Sequence, residues 1–195
     1  MVTSDEVLEF WLGPEQERDE PAEETRARWW RKSDALDREI SVTFGDAIAA
    51  AAAGELDSWT MTAQGRLAVV ILLDQYTRNV FRGSGRMYQH DGRAVATALA
   101  GIDAGDDLKL RIAECYFLYM PLMHSEDRVL QERCVALFEA LAERGRTWCH
   151  GAVDYACAHR DVVARFGRFP HRNELLGRAS TDEEREFLQE PGSSF

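Results

Sequence analysis

Residues 62–81 read TAQGRLAVVILLDQYTRNVF, from Thr62 to Phe81, and the fold turns on them. Positions 67–73 are apolar on every side, which for a helix means burial on every side. Leu67, Ile71, Asp74 and Arg78 follow at spacings of four, three and four, so a carboxylate and a guanidinium extend one apolar stripe. Gly83-Ser84-Gly85 ends the segment. A helix buried all round needs other helices about it.

Outward from that helix, nearly every segment carries a helical period and none alternates convincingly as a strand. Upstream, Ser4 with Asp5 and Glu6 signals an N-cap before Val7, Leu8, Phe10 and Trp11, and Gly13-Pro14 ends that helix. Pro21 at the first helical position opens a second, reaching Trp29 and Trp30. Residues 36–53 form a third, stopped by Gly54. Downstream, 86–100 is amphipathic, and 108–120 runs into Pro121, which closes or kinks it. Ser125 with Glu126-Asp127 caps 128–144, which Gly145 stops, and 148–166 ends at Gly167. Phe169-Pro170 forces an extended turn. Thr181-Asp182-Glu183-Glu184 resembles a capping box for a last helix, with a loose tail from about residue 190. The expectation is an all-α single domain over 1–195, with about nine helices packed as antiparallel pairs.

The chain has 195 residues, 45% of them hydrophobic, which excludes a disordered protein. Lys and Arg total 23 against 34 Asp and Glu, a net charge of −11 that repels nucleic-acid backbones and anionic membranes. Against that field, residues 158–180 carry Arg160, Arg165, Arg168, Arg172 and Arg178 with only Asp161 and Glu174, and His159 and His171 besides. A basic island in an acidic protein asks for a reason. The four cysteines form no C-x-x-C pair, the N-terminus has no apolar leader, and no apolar run approaches the roughly 20 residues that span a bilayer. A cytoplasmic protein is expected, with neither membrane nor nucleic acid as partner.

Three places could carry chemistry. Asp74 and Arg78 either tie neighbouring helices together or line a pocket with Asn79 and Arg82; in both cases a buried carboxylate requires a partner. At the junction after Pro121, capping accounts for Ser125, Glu126 and Asp127 but leaves His124 unexplained. Tyr155, His159, Val162, Val163 and Phe166 form one stripe, where a histidine is either a satisfied core residue or a site residue. Asp161 and Arg165 are spaced as an i,i+4 pair. Beyond Gly167, Arg165, Arg168, His171, Arg172 and Asn173 crowd a turn pinned by Pro170, the kind of loop that carries sites. Zinc is excluded, since Cys149 and His159 fall on different sides of a helix. No motif implies a cofactor. Trp29 and Trp30, adjacent on a helix, cannot both face inward, which leaves one for a surface.

Several of these stretches together carry a resemblance. Phe117-Leu-Tyr-Met-Pro-Leu-Met-His-Ser-Glu-Asp127, His159-Arg-Asp161 and Arg165-Phe-Gly-Arg-Phe-Pro-His-Arg-Asn173 resemble signatures of the bacterial family known as domain of unknown function 924. Residues 72–79, LLDQYTRN, are similar to its Asp-Gln-Phe-Pro-Arg-Asn segment, with Tyr76-Thr77 standing where the pattern has Phe-Pro. The resemblance runs from about Val7 to Leu188. It implies a tetratricopeptide-like right-handed helical array, a less kinked end to the buried helix, and no activity.

The residue pattern leads to a pocket for a small anionic metabolite, bounded by Asp74, Arg78 and Asn79, by His124 and Glu126, and by His159, Arg165, Arg168, His171, Arg172 and Asn173. Arginine would supply bidentate contacts to carboxylate or phosphate. One alternative is an enzyme with His124 or His159 as general base, oriented by Glu126. Another is a scaffold that binds a peptide or protein along a groove.

Overall fold

Thr3, one residue earlier than read, begins the first helix: its hydroxyl accepts from Glu6 N at 3.3 Å while the Glu6 carboxylate accepts from Thr3 N at 2.8 Å. The computed structural model describes residues 2–144 and 147–194; Gly145, read as a helix stop, lies outside them. Among the described residues there are nine α-helices and no strand. They are α1 (Ser4–Leu12), α2 (Glu23–Trp30), α3 (Asp34–Ala53), α4 (Ala63–Ile71, a π turn Leu72–Tyr76, then Thr77–Val80), α5 (Asp91–Asp103), α6 (Ile112–Met123), α7 (Arg128–Glu143), α8 (Gly151–Phe166) and α9 (Asp182–Phe187).

The local chemistry explains most boundaries. Gly54 and Gly167 close α3 and α8 at φ +85° and +70°, conformations that cost an L side chain strain. Thr181 and Glu184 form the capping box read for α9. The helices read from 86, 108 and 148 begin at Asp91, Ile112 and Gly151, each preceded by a short 3-10 turn, and three further boundaries differ from the reading. Pro21 stands two residues ahead of α2, whose N-cap is Ala22 and whose first turn holds Glu23 and Glu24. Pro121 does not close α6: it sits within the last turn, forfeits one N–H, and the helix runs on to Met123, with His124 N bonded to Met120 O at 3.1 Å. The cap of α7 is Asp127, whose Oδ1 accepts from Val129 N and Leu130 N at 2.7 and 3.1 Å. Ser125 instead accepts from Asp127 N within a tight turn, and Glu126 is released for other work.

Two helices occupy the centre. Every residue of α6 is buried, and α4 is buried from Leu67 to Thr77, as its uninterrupted apolar run requires. Around them α4 packs on α1, α3, α5 and α6, while α6 packs on α5 and α7, and α7 on α8. Aromatic edges lock the centre together: Trp11 meets Tyr76 and Phe117, and Tyr76 Oη donates to Val7 O at 3.1 Å. Truncating a side chain such as Leu72 to alanine here costs about 2–5 kcal/mol.

The chain after α8 returns over the junction of α6 and α7. Val162, Val163 and Phe169 make a small core of their own, flanked by Phe166 and Phe187. The segment from 190 keeps Ser193 buried, its hydroxyl donating to Leu188 O at 3.3 Å. Among the described residues no helix is long and apolar enough to cross a membrane.

Candidate functional site

The π turn within α4 holds Asp74 with none of its surface exposed. Its Oδ1 lies 3.0 Å from Arg78 NH1 and 2.8 Å from His124 Nδ1, and its Oδ2 accepts from Gln75 Nε2 at 2.6 Å. Burial pushes the Asp74 carboxyl up, but Arg78 and His124 outweigh it and hold the group below the usual carboxylate range. His124, just beyond the end of α6, is driven down by its own burial and by Arg78, with Asp74 opposing. The pair is therefore a carboxylate and a neutral imidazole at neutral pH. Nδ1–H faces the carboxylate, so Nε2 carries the lone pair.

Arg78 makes a second, bidentate pair with Asp91 in the first turn of α5, at 2.9 and 3.0 Å. Asp91 also receives Arg172 NH1, but at 3.4 Å. Arg172 lies in the short turn Pro170–Arg172 that follows Phe169, its guanidinium stacked 4.4 Å from the Phe169 ring and 4.6 Å from that of Tyr88. Only 6% of Arg172 is exposed, and its Nε has no hydrogen-bond partner. Burial and the neighbouring Arg78 bring its pKa down to about 10. Tyr88 reaches this position because the turn Gly85–Tyr88 comes very close to the returning chain: a Cβ on Gly85 would lie 2.5 Å from Leu175 O.

These groups meet at one cleft. A chamber of about 220 Å³ is lined by Arg78, Asn79 and Arg82 from α4, by Tyr88 and Met87, and by His124, His159, His171 and Arg172, with Trp29, Trp30, Gln75 and Met120 completing it. Asp74 and Asp91 stand behind its arginines. His159 Nδ1 lies 2.7 Å from Tyr155 O, a carbonyl that only accepts, so Nδ1 carries the proton there too. Burial, then His124, sends His159 down to about 3; burial and Arg172 send His171 to about 4. Arg82 is already held by Asp37 at 2.8 and 3.0 Å, and Asn79 spans Gln75 O and Arg82.

A second chamber, about 300 Å³, adjoins the first and shares Trp30, Met120, His124 and His159 with it. Tyr116, Met123, Trp148 and Tyr155 line the remainder, with Gly151 and Ala152. Tyr155, read as part of one stripe with His159, is 62% exposed at this rim, and Trp30 is 57% exposed while Trp29 is buried.

The other residues read as site candidates hold the returning chain in place. Glu126 receives Arg178 at 2.7 and 2.9 Å and Phe169 N at 2.8 Å, so the carboxylate beside His124 is Asp74 rather than Glu126. Arg168 binds Glu184 through Nε and NH2 at 2.6 and 2.8 Å and also Ala179 O. Asn173 is buried against Ser180, Glu184 and Arg178. Arg165 pairs with Glu183 in solvent, and Asp161, expected as its partner, takes Arg160. None of these lines either chamber. Sequence reasoning missed Asp91, Tyr88 and the methionines. Among the described residues no group of His, Cys, Asp and Glu is placed to hold a metal ion.

The comparisons with known proteins agree with this architecture. A family described as bacterial protein of unknown function, DUF924, matches residues 7–192. A solved structure, that of a protein of unknown function, ATU0120, from Agrobacterium tumefaciens, is similar at TM-score 0.80 and 36% identity, over 95% of this chain and 96% of that one. Among curated proteins there is no match.

Proposed function

The chain belongs to the DUF924 family, a premise that brings no reaction with it, and we propose from the site itself that the protein binds a small anionic ligand between Arg78 and Arg172. Arg172 carries this reading. A cation so deeply buried, whose nearest carboxylate lies 3.4 Å away and is shared with Arg78, is only partly neutralised at a cleft wall. A carboxylate or phosphate would complete that neutralisation, and would see Arg78 beside it. The neutral histidines add no charge, and the aspartates that pair with the arginines, Asp74, Asp91 and Asp37, do not line the chamber, so the charged groups an entering ligand meets are cations. Thermal unfolding with and without simple carboxylates and phosphates tests it. A ligand at a hundred times its Kd adds about 2.7 kcal/mol, and Arg172→Met removes that gain. An equal gain in the variant overturns the assignment.

The Asp74–His124 contact favours a second reading. A carboxylate that fixes Nδ1–H leaves Nε2 as a general base on a wall where an anionic substrate would lie, with Arg172 near to steady developing negative charge. Once a substrate is in hand, its turnover at an undiminished rate by His124→Gln ends this reading.

A further inference from the structure

We propose that the ligand is amphipathic: an anionic head held by Arg78 and Arg172, joined to an apolar body, best fitted by an aromatic ring, in the adjoining chamber. This deepens the anion reading and rests on it. The two chambers are neighbours with four lining residues in common, so one ligand of modest length can reach both. No Asp, Glu, Lys or Arg lines the second. Its floor has Met120 and Met123, whose thioethers adapt to irregular shapes and favour ring edges. Its walls are aromatic. Trp30 from α2 and Tyr155 from α8 leave more than half of their surface uncovered at the same opening. Isolated exposed aromatics need no explanation, but two on different helices that flank one apolar chamber, itself opening onto buried cations, form a continuous binding surface. The histidines at the junction, His124 and His159, both turn Nδ1 to groups behind the wall, and burial keeps both rings neutral, so the junction of the two chambers carries no competing charge.

Ligand-observed NMR titrations of the full chain with acetate, hexanoate, 4-phenylbutyrate and the neutral 4-phenylbutan-1-ol test the proposal. Affinity rises along the three acids, by up to roughly fourfold per buried methylene, and the acid binds tighter than its alcohol. Tyr155→Ser, an exposed position whose loss leaves the core untouched, weakens 4-phenylbutyrate severalfold and leaves acetate unchanged. Arg172→Met weakens all three acids and removes the advantage over the alcohol. Three acids of equal affinity, still dependent on Arg172, would overturn the apolar body and leave the anion site standing. Acid and alcohol binding alike, indifferent to Arg172→Met, would overturn the anion site and this inference with it.

Discussion

His124 Nδ1 lies 2.8 Å from Asp74 Oδ1 across a sequence separation of 50 residues, joining the end of α6 to the π turn within α4, the two most deeply buried helices. Asp74 thus serves two partners at once, the imidazole and the guanidinium of Arg78. Structure and site share this carboxylate.

Removing it should be expensive. Asp74→Ala leaves a buried guanidinium with Asp91 as its one close carboxylate, beside the backbone carbonyl of residue 74, and an imidazole N–H without its carboxylate acceptor, and breaking a buried ion pair costs roughly 3–5 kcal/mol. Because Asp91 stays, a loss of about 3 kcal/mol is expected in urea unfolding followed by circular dichroism. A loss under about 1 kcal/mol would show that the contact is only geometric.

Acid should unfold the protein early. His159 and His171 are held at about 3 and about 4, and His124 is lowered as well, against about 6.5 in an unfolded chain. The unfolded state then binds protons that the folded state refuses. The stability from neutral burial is whole above pH 6.5 and drains away as pH falls toward 4, at up to about 1.4 kcal/mol per pH unit per histidine. Asp74 and Glu184, the latter brought to about 2 chiefly by Arg168, act in the same direction below about pH 4.5. Urea midpoints at pH 7, 6 and 5 measure the slope, which His159→Gln should make shallower; an unchanged slope would place the titration elsewhere.

Arg172 should be a residue the fold would gain by losing. Burial and Arg78 both work against its charge, while a methionine could keep the contacts with Tyr88 and Phe169. Arg172→Met is expected to raise stability by about 1 kcal/mol, because it removes a buried charge that its one shared carboxylate neutralises only in part. A fall of 2 kcal/mol in the same chemical unfolding assay would make Arg172 a structural cation.

Glu126 should govern the returning chain alone. Its carboxylate binds Arg178 and the Phe169 amide together, and together these hold its pKa down despite burial. Glu126→Ala is expected to raise hydrogen exchange across residues 167–180 at least tenfold and leave α1–α5 protected. Uniform loss of protection along the chain would contradict this local role.

Much of the fold was legible in sequence because its signals are local. Apolar period, the glycines at Gly54 and Gly167 and the Thr181–Glu184 box each act within a few residues. Part of the site was legible on the same ground: the spacing of Asp74 and Arg78 is a helical relation, and His124 stood out because capping did not account for it. Arg168 and Arg172 could not be told apart, since both are arginines in one turn. What separates them is that Glu184 meets the first squarely and Asp91 meets the second at arm's length. Asp91 and Tyr88 had no signal, because their roles come from contacts across the fold: Asp91 from pairing with Arg78 and Arg172, Tyr88 from Gly85 lying against Leu175 O.

The π turn at Leu72–Tyr76 has an evolutionary corollary. Such a turn is a helix with one residue too many, a phase slip of about 100° between the stretches on either side. A homologue one residue shorter there would keep its apolar helix and its place in the core. Its counterparts of Arg78 and Asn79 would be swung away from the cleft. A single-codon indel could therefore switch this pocket off while the scaffold survived, so alignment gaps within these five positions sort relatives by whether they retain it.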